Sequence, residues 1–186
     1  MNEGGKIYFI LALHNHQPLG NLGEVFEQNF ERTYEPFIDV LEKFPAIKMA
    51  LHYSGSLLDW LVEKRPEFIG RLKKLAADGQ VEILGGAYYE PILPAIPDED
   101  KTGQIRLLTE RLQELFGVKP QGMWLAERVW EPHLPRPIHE AGMGYLAVDD
   151  THFQDAGIME IEHYFRTEEE GCPLDLFPIS EELRYL

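Results

Sequence analysis

The sequence holds a single cysteine, Cys172, in 186 residues. No intrachain disulfide can form, which fits a reducing compartment without requiring one. Long apolar runs are missing as well. The run over residues 7–13 is too short to cross a bilayer and stops at His14. It carries neither a basic leader nor a small-residue cleavage site, so it reads as a strand and not as a signal peptide, and a cytoplasmic location is the expectation. Positive charge is scarce: 17 Lys and Arg face 32 Asp and Glu, for a net charge of −15. Such a field repels nucleic acid and anionic membrane but leaves an uncharged substrate unaffected. There is no glycine-rich phosphate loop, so no nucleotide cofactor is expected. Linkers, repeats and low-complexity tracts are also absent. With 44% hydrophobic and 26% charged residues the composition is that of one folded domain over residues 1–186, and disorder is excluded.

What is present is an alternation of apolar runs with amphipathic stretches. Strands are expected at residues 7–13, 48–53, 81–84, 122–129, 145–148 and 174–179. Between them, Phe37, Leu41 and Phe44 have helical spacing and Pro45 stops the helix. Residues 57–77 carry Phe68, Ile69, Leu72 and Leu75 on one face, with a break near Pro66. Pro97 and three acids open a helix whose stripe is Ile105, Leu108, Leu112 and Leu115, closed by Gly117. A short helix over residues 134–141 ends at Gly142. Strands alternating with such helices predict an α/β fold with a parallel sheet, either doubly wound or a barrel. A complete barrel of this kind takes about 250 residues. Six strands fit here, so the expectation is a parallel barrel that is incomplete in this chain. Its last strand should carry an unpaired edge, which favours poor solubility of the isolated chain.

In parallel α/β folds the chemistry gathers at the carboxyl ends of the strands. The first strand ends in His14-Asn15-His16-Gln17 and the second near His52. The third contains Glu82, and Tyr88-Tyr89-Glu90 follows it. The fourth carries Glu127-Arg128 between Trp124 and Trp130, and the fifth ends in Asp149-Asp150 with His152 behind. An unpaired carboxylate in a parallel strand is costly to bury. Glu127 is therefore either neutralised by Arg128 or a reactive group facing the barrel mouth, beside aromatic faces of the kind that stack on sugar rings. His14 and His16, two apart on a strand, share one face. They fit a metal pair, hydrogen-bonding partners of substrate hydroxyls, or two satisfied strand-end histidines. Glu82 fits an edge or solvent-facing position equally well. Gly85-Gly86 permits close backbone approach or a simple turn. One of Asp149 and Asp150 should cap the next segment. Trp60 reads as packing, and Cys172, after Gly171 in an expected loop, shows no nucleophile pattern.

Several segments together resemble the family-57 glycoside hydrolases. His14-Asn15-His16-Gln17-Pro18 is similar to the first signature of that family. Glu82-Ile83-Leu84-Gly85-Gly86 with Tyr89-Glu90-Pro91 is similar to the second, and Trp124-Leu125-Ala126-Glu127-Arg128-Val129-Trp130 to the third. Val148-Asp149-Asp150-Thr151-His152-Phe153 is similar to the segment after it. Each motif alone is weak, but four in order at matching spacing are specific, and the likeness covers essentially the whole chain. Within the family it is to 4-α-glucanotransferases and α-amylase-like members.

The resemblance implies a (β/α)7 barrel, an α-glucan or maltooligosaccharide substrate, and no metal or cofactor. It implies that Glu127 is the nucleophile of a retaining reaction, with His14, His16, Glu82 and Trp124 lining the donor subsite and Asp150 and His152 near it. The family's acid/base, an Asp in a later motif, has no counterpart here, so the remainder of a catalytic domain is expected as partner and the isolated chain should be nearly inactive. Two other readings stay open. His14, His16 and Asp149 or Asp150 would be ligands in a metal-dependent polysaccharide deacetylase-like barrel. A degenerate barrel would bind α-glucan without cutting it.

Overall fold

The computed structural model describes residues 8–184. Strand β1 is Ala12–Asn15, β2 Met49–Tyr53, β3 Val81–Leu84, β4 Gly122–Met123, β5 Tyr145–Asp149, β6 Phe165–Glu169 and β7 Cys172–Ile179. The helices are α1 Gly23–Asn29, α2 Glu35–Lys43, α3 Gly55–Lys64, α4 Pro66–Ala77, α5 Asp98–Phe116, α6 Pro135–Glu140, α7 Asp150–Asp155 and α8 Glu181–Arg184. A π-helical turn, Phe30–Tyr34, joins α1 to α2.

β1, β2 and β3 are parallel neighbours, as are β4, β5 and β7. The two sets meet where Gly85 N–H donates to Gly122 O at 2.9 Å and Trp124 N–H donates to Gly85 O at 2.9 Å. Six parallel strands therefore lie side by side in chain order. Each crossover steps the same way, which is barrel winding; a doubly wound sheet would reverse direction.

Side-chain alternation sorts each strand into two faces. On β2, Met49, Leu51 and Tyr53 join the core under the helices together with Ile38, Leu57, Leu61, Leu72 and Leu108, so Ala50 and His52 face inward. On β3, Val81 and Ile83 go to the same core and Glu82 faces inward. A second core under β4, β5 and β7 contains Leu125, Ile138, Leu146, Val148 and Leu174. Helix α5 spans both, giving Ile105 to one and Leu108, Leu112 and Phe116 to the other. The expected closures hold at Gly79 (φ 68°) and Gly117 (φ 74°), both left-handed.

The inner face carries a tie that skips a strand. Tyr145 OH on β5 donates to Glu82 on β3, crossing β4. That reach exists because Gly122 has no side chain: a Cβ there would lie 2.1 Å from the Tyr145 ring. Gly122→Ala is expected to destabilise the fold by about 1–3 kcal/mol, as overpacking does. Urea unfolding checks this, and an unchanged midpoint would contradict it.

Five expectations are corrected. β1 starts at Ala12, because its ladder begins opposite Ala50 and residues 8–11 run past the start of β2; Tyr8, Phe9 and Ile10 are exposed, and Ile7 lies outside the described residues. β4 is two residues long, not eight, because the chain turns once Trp124 has bonded to Gly85. The inward stripe of the first helical region is Phe30, Tyr34, Ile38 and Leu41; Phe44 lies past the helix end and is exposed. Cys172 is not in a loop but opens β7, opposite Glu169 of a hairpin strand, β6, that the sequence reading lacked. Its turn is Glu170-Gly171, both at positive φ. With β6 on one side and β5 on the other, β7 has no free edge.

Candidate active site

Three loops and strands bring a histidine–carboxylate cluster to the carboxyl ends of β1–β3. His14 and His52 are register partners, and their Nδ1 atoms are 2.9 Å apart. Glu90 comes from the turn after β3. Its backbone is left-handed (φ 53°), and its N–H donates to Ala87 O at 3.2 Å. That turn lays the Glu90 carboxylate, 8% exposed, against all three imidazoles: His16 Nδ1 at 2.7 Å, His14 Nε2 at 3.4 Å and His52 Nδ1 at 3.6 Å. The His16 approach lies off the ring N–H axis, so it is a close polar contact and not an in-line hydrogen bond. The Trp124 ring is parallel to His14 within 7° at 4.9 Å, and His16 is parallel to His14 within 9° at 5.8 Å.

His52 is fully buried and Gly86 makes room for it: a Cβ on Gly86 would sit 2.5 Å from His52 Nε2. Gly86 is thus a close-approach glycine. Several polar atoms of this cluster are buried without a hydrogen-bond partner, namely His16 Nδ1, His52 Nε2, Glu90 Oε1 and Trp124 Nε1. Unsatisfied polar atoms converging at one place mark a ligand site rather than a finished core. His14, His52 and Glu90 also place ligand atoms within 4.8 Å of one another, close enough to hold a metal ion.

Burial, reinforced by His14 and His16, holds the His52 pKa well below 6.5. The unfolded chain then takes up a proton just below pH 6.5 that the folded chain refuses. Stability is full above that pH and declines as pH falls below it, by about 1.4 kcal/mol per pH unit for this ring, down to its folded-state pKa. Urea unfolding at about pH 7.5 and about pH 5.5 should show the loss, and His52→Asn should reduce it. An equal decline in wild type and variant would exclude His52 as the source.

Glu127 is not in a strand. It sits in a 3-10 turn, Ala126–Arg128, at φ 51° and ψ 8°. Arg128 is left-handed too (φ 55°). Two consecutive non-glycine residues in this region are strained, and such strain clusters at functional sites. The turn also separates the two side chains. Arg128 Nε pairs with Asp149 at 3.0 Å, and Arg184 reaches the same carboxylate at 3.2 Å. The Glu127–Arg128 pair considered from sequence does not form. The Glu127 carboxylate is exposed and makes no hydrogen bond or ion pair among the described residues.

The other expected site residues are placed differently. Asp150 is buried and accepts the Glu181 N–H at 3.2 Å, so it caps α8. His152 Nε2 lies 3.2 Å from Arg128 O, bracing the Glu127 turn from behind. Glu82, opposite Ala50 and two residues before the His52 level, is one inner layer away from the histidines and is held by Tyr145. A concavity of about 280 Å³ opens at that far end, lined by Phe9, Leu11, Lys48, Gln80 and Glu82; it holds no histidine and is not where the polar groups converge. The structure thus unites His14, His16 and Trp124 and adds two residues that sequence reasoning left out of the site, His52 and Glu90. Both stood at strand ends in the sequence; what could not be read was that a left-handed turn folds Glu90 back.

The family model for glycosyl hydrolase family 57 matches residues 10–186. The chain belongs to that family. An α-amylase 1 from Dictyoglomus thermophilum is 50% identical to this family-57 chain over 183 residues, which is 97% of the chain and 27% of that protein. A 4-α-glucanotransferase from Thermococcus litoralis is 46% identical over 183 residues, again 97% of the chain and 28% of that protein. The crystal structure of the Thermococcus litoralis 4-α-glucanotransferase superposes with a TM-score of 0.93 at 45% identity, covering 97% of this chain and 29% of the other. A family-57-type branching enzyme from Pyrococcus horikoshii shares the fold at a TM-score of 0.76 and 15% identity, covering 94% of this chain and 47% of the other. These neighbours identify the sheet as part of the family-57 (β/α)7 barrel. The chain spans under a third of the length of the curated relatives first matched. Among the described residues no helix is long and apolar enough to cross a membrane.

Proposed function

We propose that this chain carries the nucleophile and donor-sugar side of a retaining α-glucan-processing enzyme, of the α-amylase or 4-α-glucanotransferase kind. The observation that carries this is the Glu127 turn. A carboxylate without a partner among the described residues is held in a strained left-handed conformation just past β4, three residues after Trp124.

Retaining chemistry needs two carboxyl groups about 5–5.5 Å apart. Glu127 attacks the anomeric carbon as the glycosidic C–O bond breaks, giving a covalent glucosyl–enzyme. The second group protonates the leaving oxygen, then takes the proton of the acceptor. Water as acceptor gives hydrolysis; a sugar hydroxyl gives transfer. The second group is assigned to an Asp outside these 186 residues, in the remainder of the catalytic domain.

On the donor side, His14, His16 and Trp124 supply the polar edge and the aromatic face on which a glucosyl ring rests. The neighbouring groups act at one remove. His152 braces the Arg128 carbonyl, Asp149 holds the Arg128 guanidinium away from Glu127, Asp150 fixes α8, and Glu82 ties β3 to β5. The strong net negative charge is immaterial to an uncharged glucan. Incubating the complete protein with a 5-fluoro-α-glucosyl fluoride should add one fluoroglucosyl group, and peptide mapping should place it on Glu127. Labelling of a different carboxylate would sink the assignment.

A further inference from the structure

We infer that His52 and Glu90 are positioning residues that fix where the ring protons of His14 and His16 sit, leaving His16 Nε2 as a hydrogen-bond acceptor at the mouth of the site. The proton pattern follows from the cluster's geometry alone. The choice of a sugar hydroxyl as its ligand rests on the proposed glucan function.

Consider first the contact between His14 Nδ1 and His52 Nδ1 at 2.9 Å. With two neutral rings, one nitrogen donates and the other accepts. The Glu90 carboxylate, an acceptor only, decides which. It lies 3.4 Å from His14 Nε2 and 3.6 Å from His52 Nδ1. If His14 Nδ1 carried the proton, both nitrogens nearest the carboxylate would offer it lone pairs. His52 Nε2 would then hold a proton with no acceptor, inside a fully buried ring. In the opposite arrangement, His52 Nδ1–H donates to His14 Nδ1, and His14 Nε2–H faces Glu90. Every proton then has an acceptor near it.

The same carboxylate acts on His16. Its Nδ1 is 2.7 Å from Glu90 Oε2, the shortest of the three imidazole–carboxylate approaches, and even off the N–H axis the negative carboxylate favours a proton on that nitrogen over a lone pair. The proton of neutral His16 therefore sits on Nδ1, and Nε2 keeps its lone pair. His16 retains about a third of its side-chain exposure, 31%, whereas His52 has none. The exposed ring presents the outcome of a choice made by two buried residues. A site with this polarity prefers a ligand O–H that donates, which a sugar hydroxyl does and an ether or ketone does not.

Neutron diffraction of deuterium-exchanged crystals of the complete protein tests this directly. Deuterons are expected on His52 Nδ1, His14 Nε2 and His16 Nδ1, with none on His16 Nε2. A deuteron on His16 Nε2 or His52 Nε2, or a doubly protonated His14 at neutral pH, would overturn the inference. So would a stoichiometric metal ion between His14, His52 and Glu90, since the metal would occupy His52 Nδ1.

Kinetics supply a second arm. His52→Asn places an amide N–H where Nδ1–H stood and should keep kcat/KM for a maltooligosaccharide within about tenfold of wild type; His52→Leu, without the donor, should lose about a hundredfold, mostly through KM. Equal losses in the two variants, both with wild-type Tm, would reduce His52 to packing and overturn its positioning role. If the wild-type protein turns over no glucan, the glucan reading fails while the neutron map still decides the proton pattern.

Discussion

Glu127→Ala should lower glucan turnover by the complete protein by about 10⁴-fold, in the range seen when a covalent nucleophile is removed. Its fold should be intact, because the Glu127 carboxylate is exposed and makes no hydrogen bond or ion pair among the described residues. The small space left by the side chain should admit azide, which would restore turnover and give an α-glucan product carrying inverted β-azide at its anomeric carbon. That stereochemical reversal distinguishes a nucleophile from a residue that only holds substrate. Unchanged turnover in Glu127→Ala would end the proposed mechanism. A companion variant separates activity from stability. At φ 51° glycine is unstrained where glutamate is not, so Glu127→Gly should be inactive yet as stable as wild type or more so, by up to about 1 kcal/mol. Thermal unfolding beside an activity assay checks both halves.

Gly86→Ala should be the most damaging single-methyl change near the site. The new Cβ would lie 2.5 Å from His52 Nε2 and 3.3 Å from the Trp124 carbonyl. Neither neighbour has room to yield. His52 is fully buried between Gly86 and the His14 contact, and Trp124 is tied by its N–H to Gly85 O at 2.9 Å. Pushing His52 toward His14 and Glu90 moves the whole histidine cluster, while pushing Trp124 moves the turn that carries Glu127. A stability loss of about 1–3 kcal/mol is expected from overpacking. A loss of kcat/KM of about a hundredfold is expected from displacement of the site by a fraction of an ångström to 1 Å. Urea unfolding and steady-state kinetics measure the two. Wild-type kinetics in Gly86→Ala would show that His52 is not coupled to the site. Gly70→Ala on α4, where an added Cβ meets nothing within 4 Å, is the control.

Much of the architecture was legible before any coordinates. The apolar runs of β2, β3, β5 and β7, the break at Pro66, and the closures at Gly79 and Gly117 all follow from local rules, because strand and helix periods and glycine's left-handed freedom act over a few residues. The errors fell where pairing, not composition, sets the boundary. β1 starts at Ala12 because its ladder with β2 begins there, opposite Ala50. β4 stops at Met123 because the chain must turn there. β6 alternates charged and half-buried residues, and only its partner β7 makes it a strand.

For the site, the sequence by itself determined which chemistry was on hand: two histidines on one strand face, a Trp-x-x-Glu segment, and acids and histidines at successive strand ends. It named Glu127 as a candidate but gave it the wrong local structure, a strand instead of a 3-10 turn. Only the tertiary structure decided which charged neighbours pair. Arg128 turns to Asp149, Glu90 swings back over His14, His16 and His52, Asp150 becomes a cap, and Glu82 is drawn one layer down to Tyr145. The reason is physical. Periodicity fixes the face on which a side chain lies, through geometry shared by every residue of an element. The direction taken by a residue in a left-handed turn, and the partner it meets from a strand tens of residues away, depend on backbone angles and cross-strand register.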